Sequence, residues 1–363
     1  MVRKASRALS SSPVSAYPHS VTGTSSVSSE STACSSATET PGRIWFEDGN
    51  VVVIAQNSSF RVNEGILGHR SREFRRLIKE ARRANRTGVE LRVSDSSHDF
   101  EHLLRILYEG FEYTKAHRPT TFSDLASATR LAHKYTISSV LDQSFERLRT
   151  FFPSTLDEWD EHEALRAPSS PSFSPQNAIE AVILFRSLPP TSPAVAMLPT
   201  ALYLAAQVPP ALLFRGTWRA DGTLEKLGDH AGVAEEVLTL HTSLIRHAVA
   251  AHSAVYDGAP KAGLFHSCGA ALERAEKDFR QAAVHGDPLS RALRDEIEGL
   301  AGDKYKICEF CVKELRRRER EYRMKIWGEL RGVIDEESPD KGKEQMADVL
   351  KAEKTAGEKP SKR

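Results

Sequence analysis

Cysteine and histidine offer the clearest chemistry in this 363-residue chain. Cys308-Glu309-Phe310-Cys311 is a C-x-x-C pair, and His266-Ser267-Cys268 supplies two more soft donors upstream. Together His266, Cys268, Cys308 and Cys311 form a Cys3His set, which suits a closed, tetrahedral, structural zinc site. Two other readings stand beside it. Cys308 and Cys311 fall on one face of a helix, where they can be small core residues. They can also be a redox pair, although no βαβ context surrounds them. Cys34 joins none of these. Asp157, Glu158, Asp160, Glu161 and Glu163 form an acidic cluster. Nothing places two of them across a substrate, so they read as a solvated helix face. The chain contains no G-x-G-x-x-G, Walker A, H-E-x-x-H or G-x-S-x-G motif. No nucleophile–base pair can be placed, and the expectation is a protein that is not an enzyme and needs no cofactor other than a structural zinc.

The overall charge narrows the class further. Fifty basic residues face 49 acidic ones, a formal net charge of +1. That excludes a globally basic nucleic-acid binder. Basic residues do cluster twice. Arg72, Arg75, Arg76, Lys79, Arg82, Arg83 and Arg86 recur at helical spacing, and Arg316, Arg317, Arg318, Arg320, Arg323, Lys325 and Arg331 are interleaved with Glu314, Glu319, Glu321 and Glu329. Interleaved charges at i,i+4 support a long exposed helix. Leu315, Tyr322, Ile326, Trp327 and Leu330 add an apolar stripe that packs it on the domain. Four cysteines are too few for a disulfide-framed secreted scaffold. The longest apolar runs, such as Ala178 to Phe185, are far short of the ~20 residues of a membrane span.

Composition divides the chain into four parts. Residues 1–42 are a Ser/Thr-rich head with almost no large apolar side chains, read as disordered. Its basic, acid-poor start has one feature of a transit peptide, but no amphipathic Arg/Leu pattern follows and no apolar stretch suits secretion. The expected location is cytoplasmic and/or nuclear. Residues 43–152 and 153–334 carry the apolar periodicity of two folded regions, the second of them helical. Residues 335–363 are a charged tail, also read as disordered. Residues 167–175, rich in Pro and Ser, form a loop inside the second region.

The elements of residues 43–152 can be placed in order. Ile44 to Phe46 and Val51 to Ala55 read as strands around Glu47-Asp48-Gly49-Asn50, and Asp-Gly between two such runs is a hairpin signal. A further turn at Gln56-Asn57 leads to Phe60-Arg61-Val62. Helical spacing runs through Ile66, Leu67, Phe74, Leu77 and Ile78. Val89 to Val93 alternates as a strand with one polar face. Ser94 to Ser97 offer N-caps to a helix with Phe100, Leu103, Leu104 and Leu107 on one side, which stops at Gly110. Helices over residues 122–135 and 138–151 follow. The second region then shows helices near residues 177–188, 199–206, 238–256, 270–284, 288–300 and 306–334.

Several stretches resemble the BTB (POZ) domain in the form common in fungal proteins. Trp45 to Val53 is similar to the family's opening strands, and Phe60 to Phe74 to its F-x-V-H-x-x-x-L-x-x-x-S-x-x-F stretch. Phe100 to Tyr108 resembles its F-x-x-L-L-x-x-L-Y helix, and Leu131 to Tyr135 its A-x-K-Y helix end. Asn63 stands where the family has His, and it cannot titrate near neutral pH. The resemblance implies an α+β domain, a small sheet with helix hairpins, followed by a mostly α-helical domain. It also implies protein–protein interaction, as an adaptor or scaffold, with protein partners, a homodimer or a cullin-type ubiquitin-ligase scaffold. By carry-over, Phe46, Asp48 and Arg70 are candidate interface residues. The alternative is a transcription-associated regulator with a basic C-terminal helix and a structural zinc. Nucleic acid and membrane are not expected partners of the adaptor.

Overall fold

The computed structural model describes residues 40–84, 88–110, 120–166, 170, 172–230, 232–257, 268–283, 287–290 and 292–336. Cys34, His266, residues 1–39 of the head and residues 337–363 of the tail lie outside the described residues. The Pro/Ser loop is described only at Ser170 and from Ser172 onward.

The first region begins with strands β1 (Thr40–Trp45), β2 (Val51–Ala55) and β3 (Ser58–Val62). Helices α1 (Glu64–Arg70) and α2 (Arg72–Ala84) follow, then strand β4 (Val89–Val93). Helices α3 (Ser97–Glu109), α4 (Phe122–Lys134) and α5 (Ser138–Phe151) complete it. The sheet order is β1-β3-β2-β4. The hairpin signal at Asp48-Gly49 misleads. The turn is real, with Gly49 N donating to Phe46 O at 3.1 Å, but β1 does not pair with β2. It runs parallel to β3, while β2 and β3 form the antiparallel hairpin and β4 lies parallel to β2. β1 also begins at Thr40, inside the stretch assigned to the head.

The apolar spacing from Ile66 to Ile78 belongs to two helices, separated at Ser71. The Ser71 backbone N–H closes α1 on Leu67 O at 3.0 Å, and its hydroxyl accepts from Phe74 N at 3.0 Å to cap α2. The same hydroxyl donates to Tyr135 O at 2.5 Å, so a buried polar side chain is fully used. Helix α3 starts as its sequence dictates: Ser96 accepts from Asp99 N at 3.1 Å, and Gly110 (φ 74) ends it. Thr121 and Asp124 form a capping box for α4.

The second region contains α6 (Leu156–Glu161), α7 (Glu163–Arg166), α8 (Asn177–Ser187), α9 (Ala194–Ala206) and α10 (Pro210–Arg215). A two-residue hairpin, β5 (Thr217–Trp218) and β6 (Leu224–Glu225), follows. Helices α11 (Val233–Tyr256), α12 (Gly269–Ala283), α13 (Ala292–Gly299) and α14 (Glu309–Glu336) complete the described chain. The hairpin is too short to show a strand period in sequence. Gly216 enters it at φ 81, and a Cβ there would stand 2.3 Å from Glu225 O, so only glycine lets the strands meet.

One core runs from Ile44 in β1 to Leu330 in α14, continuous through both regions. Phe122, Phe152, Phe173 and Phe185 pack edge-to-face across it at 5.2–5.8 Å. A second, smaller core gathers Val255, Tyr256, Leu272, Ile297, Ile307 and Leu315 around Cys268 and Cys311. Helix α14 contributes to both. No helix among the described residues is long and apolar enough to cross a membrane.

Candidate interaction surface and thiol cluster

Phe46 and Asp48 sit on one small network beside the outer strand. The Phe46 ring stacks on Tyr108 with centroids 4.5 Å apart. The Tyr108 hydroxyl donates to Asn63 Oδ1 at 3.0 Å and accepts from the Asn63 backbone N–H at 2.8 Å. Asn63 Nδ2 then donates to Asp48 Oδ2 at 3.0 Å. Asn63 thus holds a fixed hydrogen-bond set and brings no titrating group. Burial raises the Tyr108 pKa, outweighing the bond from Asn63, and nearby Asp48 adds to the rise. Gly49 supports the turn: a Cβ there would stand 2.9 Å from Val62 N. Asp48 is exposed and Phe46 half-buried, while Trp45 at the end of β1 is 45% exposed. Arg70 is exposed too, but it lies at the far end of α1, ~10 Å along its axis from Asn63. The three residues therefore split into one pair and one separate position.

Part of the basic stripe of α2 is paired within the chain. Arg76 pairs with Glu73 and with Glu80 (2.7 Å), Arg82 pairs with Glu64, and Arg75 donates to Gly68 O. Helix α14 behaves alike. Arg317 and Arg318 share Glu314 at 2.8 and 2.9 Å, and Arg320 reaches Asp157 at 2.6 Å. The acidic cluster is therefore not simply a solvated face. Asp160 is largely covered and holds Arg323, which is only 3% exposed.

The strongest feature that sequence reasoning missed is a buried ionic junction between the two regions. Asp99 of α3 accepts from Ser127 Oγ at 2.6 Å and from Arg130 Nη1 at 2.7 Å, both on α4. Arg130 Nη2 donates to Glu180 of α8 at 2.7 Å. Arg219, just past β5, donates to Asp99 at 3.0 Å and to Asp221 at 2.7 Å. Burial would raise the Asp99 pKa, but His98, Arg130, Ser127 and Arg219 outweigh it and hold the carboxyl far below its usual range. Glu180 goes the other way, raised by burial despite Arg130. The junction ties the second region to α3 and α4. Glu180 alone gave a signal, as a single charge inside the apolar run Ala178 to Phe185.

The structure brings Cys268, Cys308 and Cys311 together, their Sγ atoms all within 4.8 Å of one another. Cys268 and Cys311 are buried and Cys308 half-buried, and all three are free thiols. Burial, with Cys308 and Cys268 alongside, pushes the Cys311 thiol up to about 12. Cysteine chemistry at this point can hold a thiophilic cation as three thiolates.

The comparisons with known proteins agree with the first region's architecture. The model of the BTB/POZ domain family matches residues 47–151. No curated protein and no solved structure matches the chain. The matched span covers β2 to α5, including Asp48, Arg70 and the Ser71 break, and stops where the second region begins. Such domains are in general protein–protein interaction modules. Residues 47–151 of this chain are a BTB/POZ domain, followed by a mostly helical region.

Proposed function

We propose that the protein is an adaptor or scaffold that works by binding, with its BTB/POZ domain pairing with a second copy or docking a protein partner. The observation that carries this reading is the position of β1. It is one of the two outer strands of the described sheet, paired to β3, and it lies just before the matched span, ending at the exposed Trp45 beside Phe46 and Asp48. An outer strand presents unpaired backbone donors and acceptors, a template for another chain. Arg70, at the other end of α1, offers a separate contact for a docked partner such as a cullin-type ligase scaffold. The second region is joined to the domain through the Asp99–Arg130–Glu180–Arg219 junction.

This reading needs no bond chemistry and no catalytic cofactor, and any metal at the thiols is structural. It places the chain in the cytoplasm or nucleus, where protein scaffolds of this class work. The regulator reading comes second, because its basic helix α14 spends Arg317, Arg318, Arg320 and Arg323 on pairs within the chain. Affinity purification of the full chain under mild lysis tests the proposal. A dimer, or a stoichiometric partner such as a cullin, supports it. Recovery of a bare monomer that instead shifts a DNA probe with steep salt dependence supports the regulator.

A further inference from the structure

The three thiols belong to the second core, and the docking reading uses none of them. Two helix starts deliver them. Cys268 stands immediately before α12 and Cys308 immediately before α14, with Cys311 in the first turn of α14. The cap bonds fix both starts: Leu272 N donates to Cys268 O at 2.8 Å, and Val312 N to Cys308 O at 3.1 Å. The Cys308 backbone N–H donates to Cys268 Sγ at 3.3 Å, so a donor is aimed at sulfur, as around metal-bound thiolates.

The cluster also sits where a cation would be useful. Leu272, Ile307, Val312 and Leu315 are buried in the same core as the thiols. Sulfurs held ~2.3 Å from a tetrahedral zinc stand roughly 3.8 Å apart. The observed limit of 4.8 Å needs only a small contraction to reach that.

We propose that Cys268, Cys308 and Cys311 bind one thiophilic d10 cation of the zinc type, and that this ion staples the start of α12 to the start of α14. Binding forms three metal–sulfur bonds and releases the three thiol protons to solvent, so affinity falls as pH falls. No further described Cys, His, Asp or Glu joins the group, and the fourth position of a tetrahedral ion is left to another donor. The site is structural: it completes the second core and reacts with nothing.

The test uses the full chain, reduced and freed of metal, titrated with Co2+ and then Zn2+ at neutral pH. The expected result is one equivalent of cobalt with thiolate-to-cobalt charge-transfer absorption, displaced by zinc. Cys268→Ser, Cys308→Ser and Cys311→Ser should each weaken binding on the order of 100-fold or more, whereas Cys34→Ser leaves it unchanged. Circular dichroism shows whether each variant is folded, and the wild-type titration depends on none of them. A wild-type chain that takes up no stoichiometric cobalt or zinc overturns the proposal, and so does full binding by the triple Ser variant. Oligomeric state does not enter these readouts, so the docking reading and the metal site fail separately.

Discussion

Arg219 Nη2 lies 3.0 Å from Asp99 Oδ2, joining a helix of the BTB/POZ domain to a hairpin 120 residues further along the chain. Asp99 is 3% exposed at its side chain and Arg219 13%. Breaking a buried pair strands the remaining charge, at a cost of about 3–5 kcal/mol. Asp99→Ala should destabilise the chain by up to about that order, since Arg130 and Arg219 lose the acceptor they share, while Glu180 and Asp221 still hold one bond to each. Chemical denaturation of the variant against wild type measures it. The double variant Asp99→Ala/Arg219→Met should recover part of the loss.

The same carboxylate sets an acid limb. Its folded pKa is depressed below the ordinary 3.8, so it contributes stability above that value and loses it as pH falls toward the depressed one. Thermal melts from neutral into strongly acid conditions should show Asp99→Asn less acid-sensitive than wild type, though less stable at neutral pH. Parallel acid limbs for the two proteins would contradict the assignment.

Two arginines of α14 should differ although both face acids. Arg320 pairs with Asp157 at an exposed position, 42% and 75% exposed, and such pairs contribute about 0–1 kcal/mol. Arg323 is 3% exposed, pairs with Asp160 and donates to Leu289 O at 2.6 Å. Arg320→Ala should leave the melting temperature nearly unchanged, while Arg323→Ala should lower it by several degrees.

Ser71 separates α1 from α2 and caps the second helix. Ser71→Ala removes a cap worth ~1 kcal/mol and leaves Tyr135 O without its buried donor, so a loss of about 1–3 kcal/mol is expected. Equilibrium unfolding in urea reads it directly.

Local patterns were legible and distant pairings were not. Val89 to Val93 declares a half-buried strand by strict alternation, and Ser96 and Gly110 mark both ends of α3, because periods and caps are local physics. The Asp48-Gly49 signal could not reveal that β1 pairs with β3, since a parallel partner leaves no mark in the turn. The cysteines are the exception: residue type and the C-x-x-C spacing were enough to group Cys268 with Cys308 and Cys311 across 40 residues, and the structure brings these three together, while His266 lies outside the described residues. The ionic junction was hidden because Asp99, Arg130 and Arg219 are separated by 31 to 120 residues and share no period. Phe46 and Asp48 did emerge together, joined through Tyr108 and Asn63, whereas Arg70 stands apart.

The central claim is that the outer strand β1 and its Trp45 present a pairing surface. Native mass spectrometry of the full chain across a concentration series, beside Trp45→Lys, tests it most directly. The account predicts a dimer or a partner-bound species for wild type. It predicts a folded monomer without partner for Trp45→Lys, with an unchanged circular dichroism spectrum. A wild-type chain that stays a bare monomer at every concentration, even after mild lysis, would contradict it.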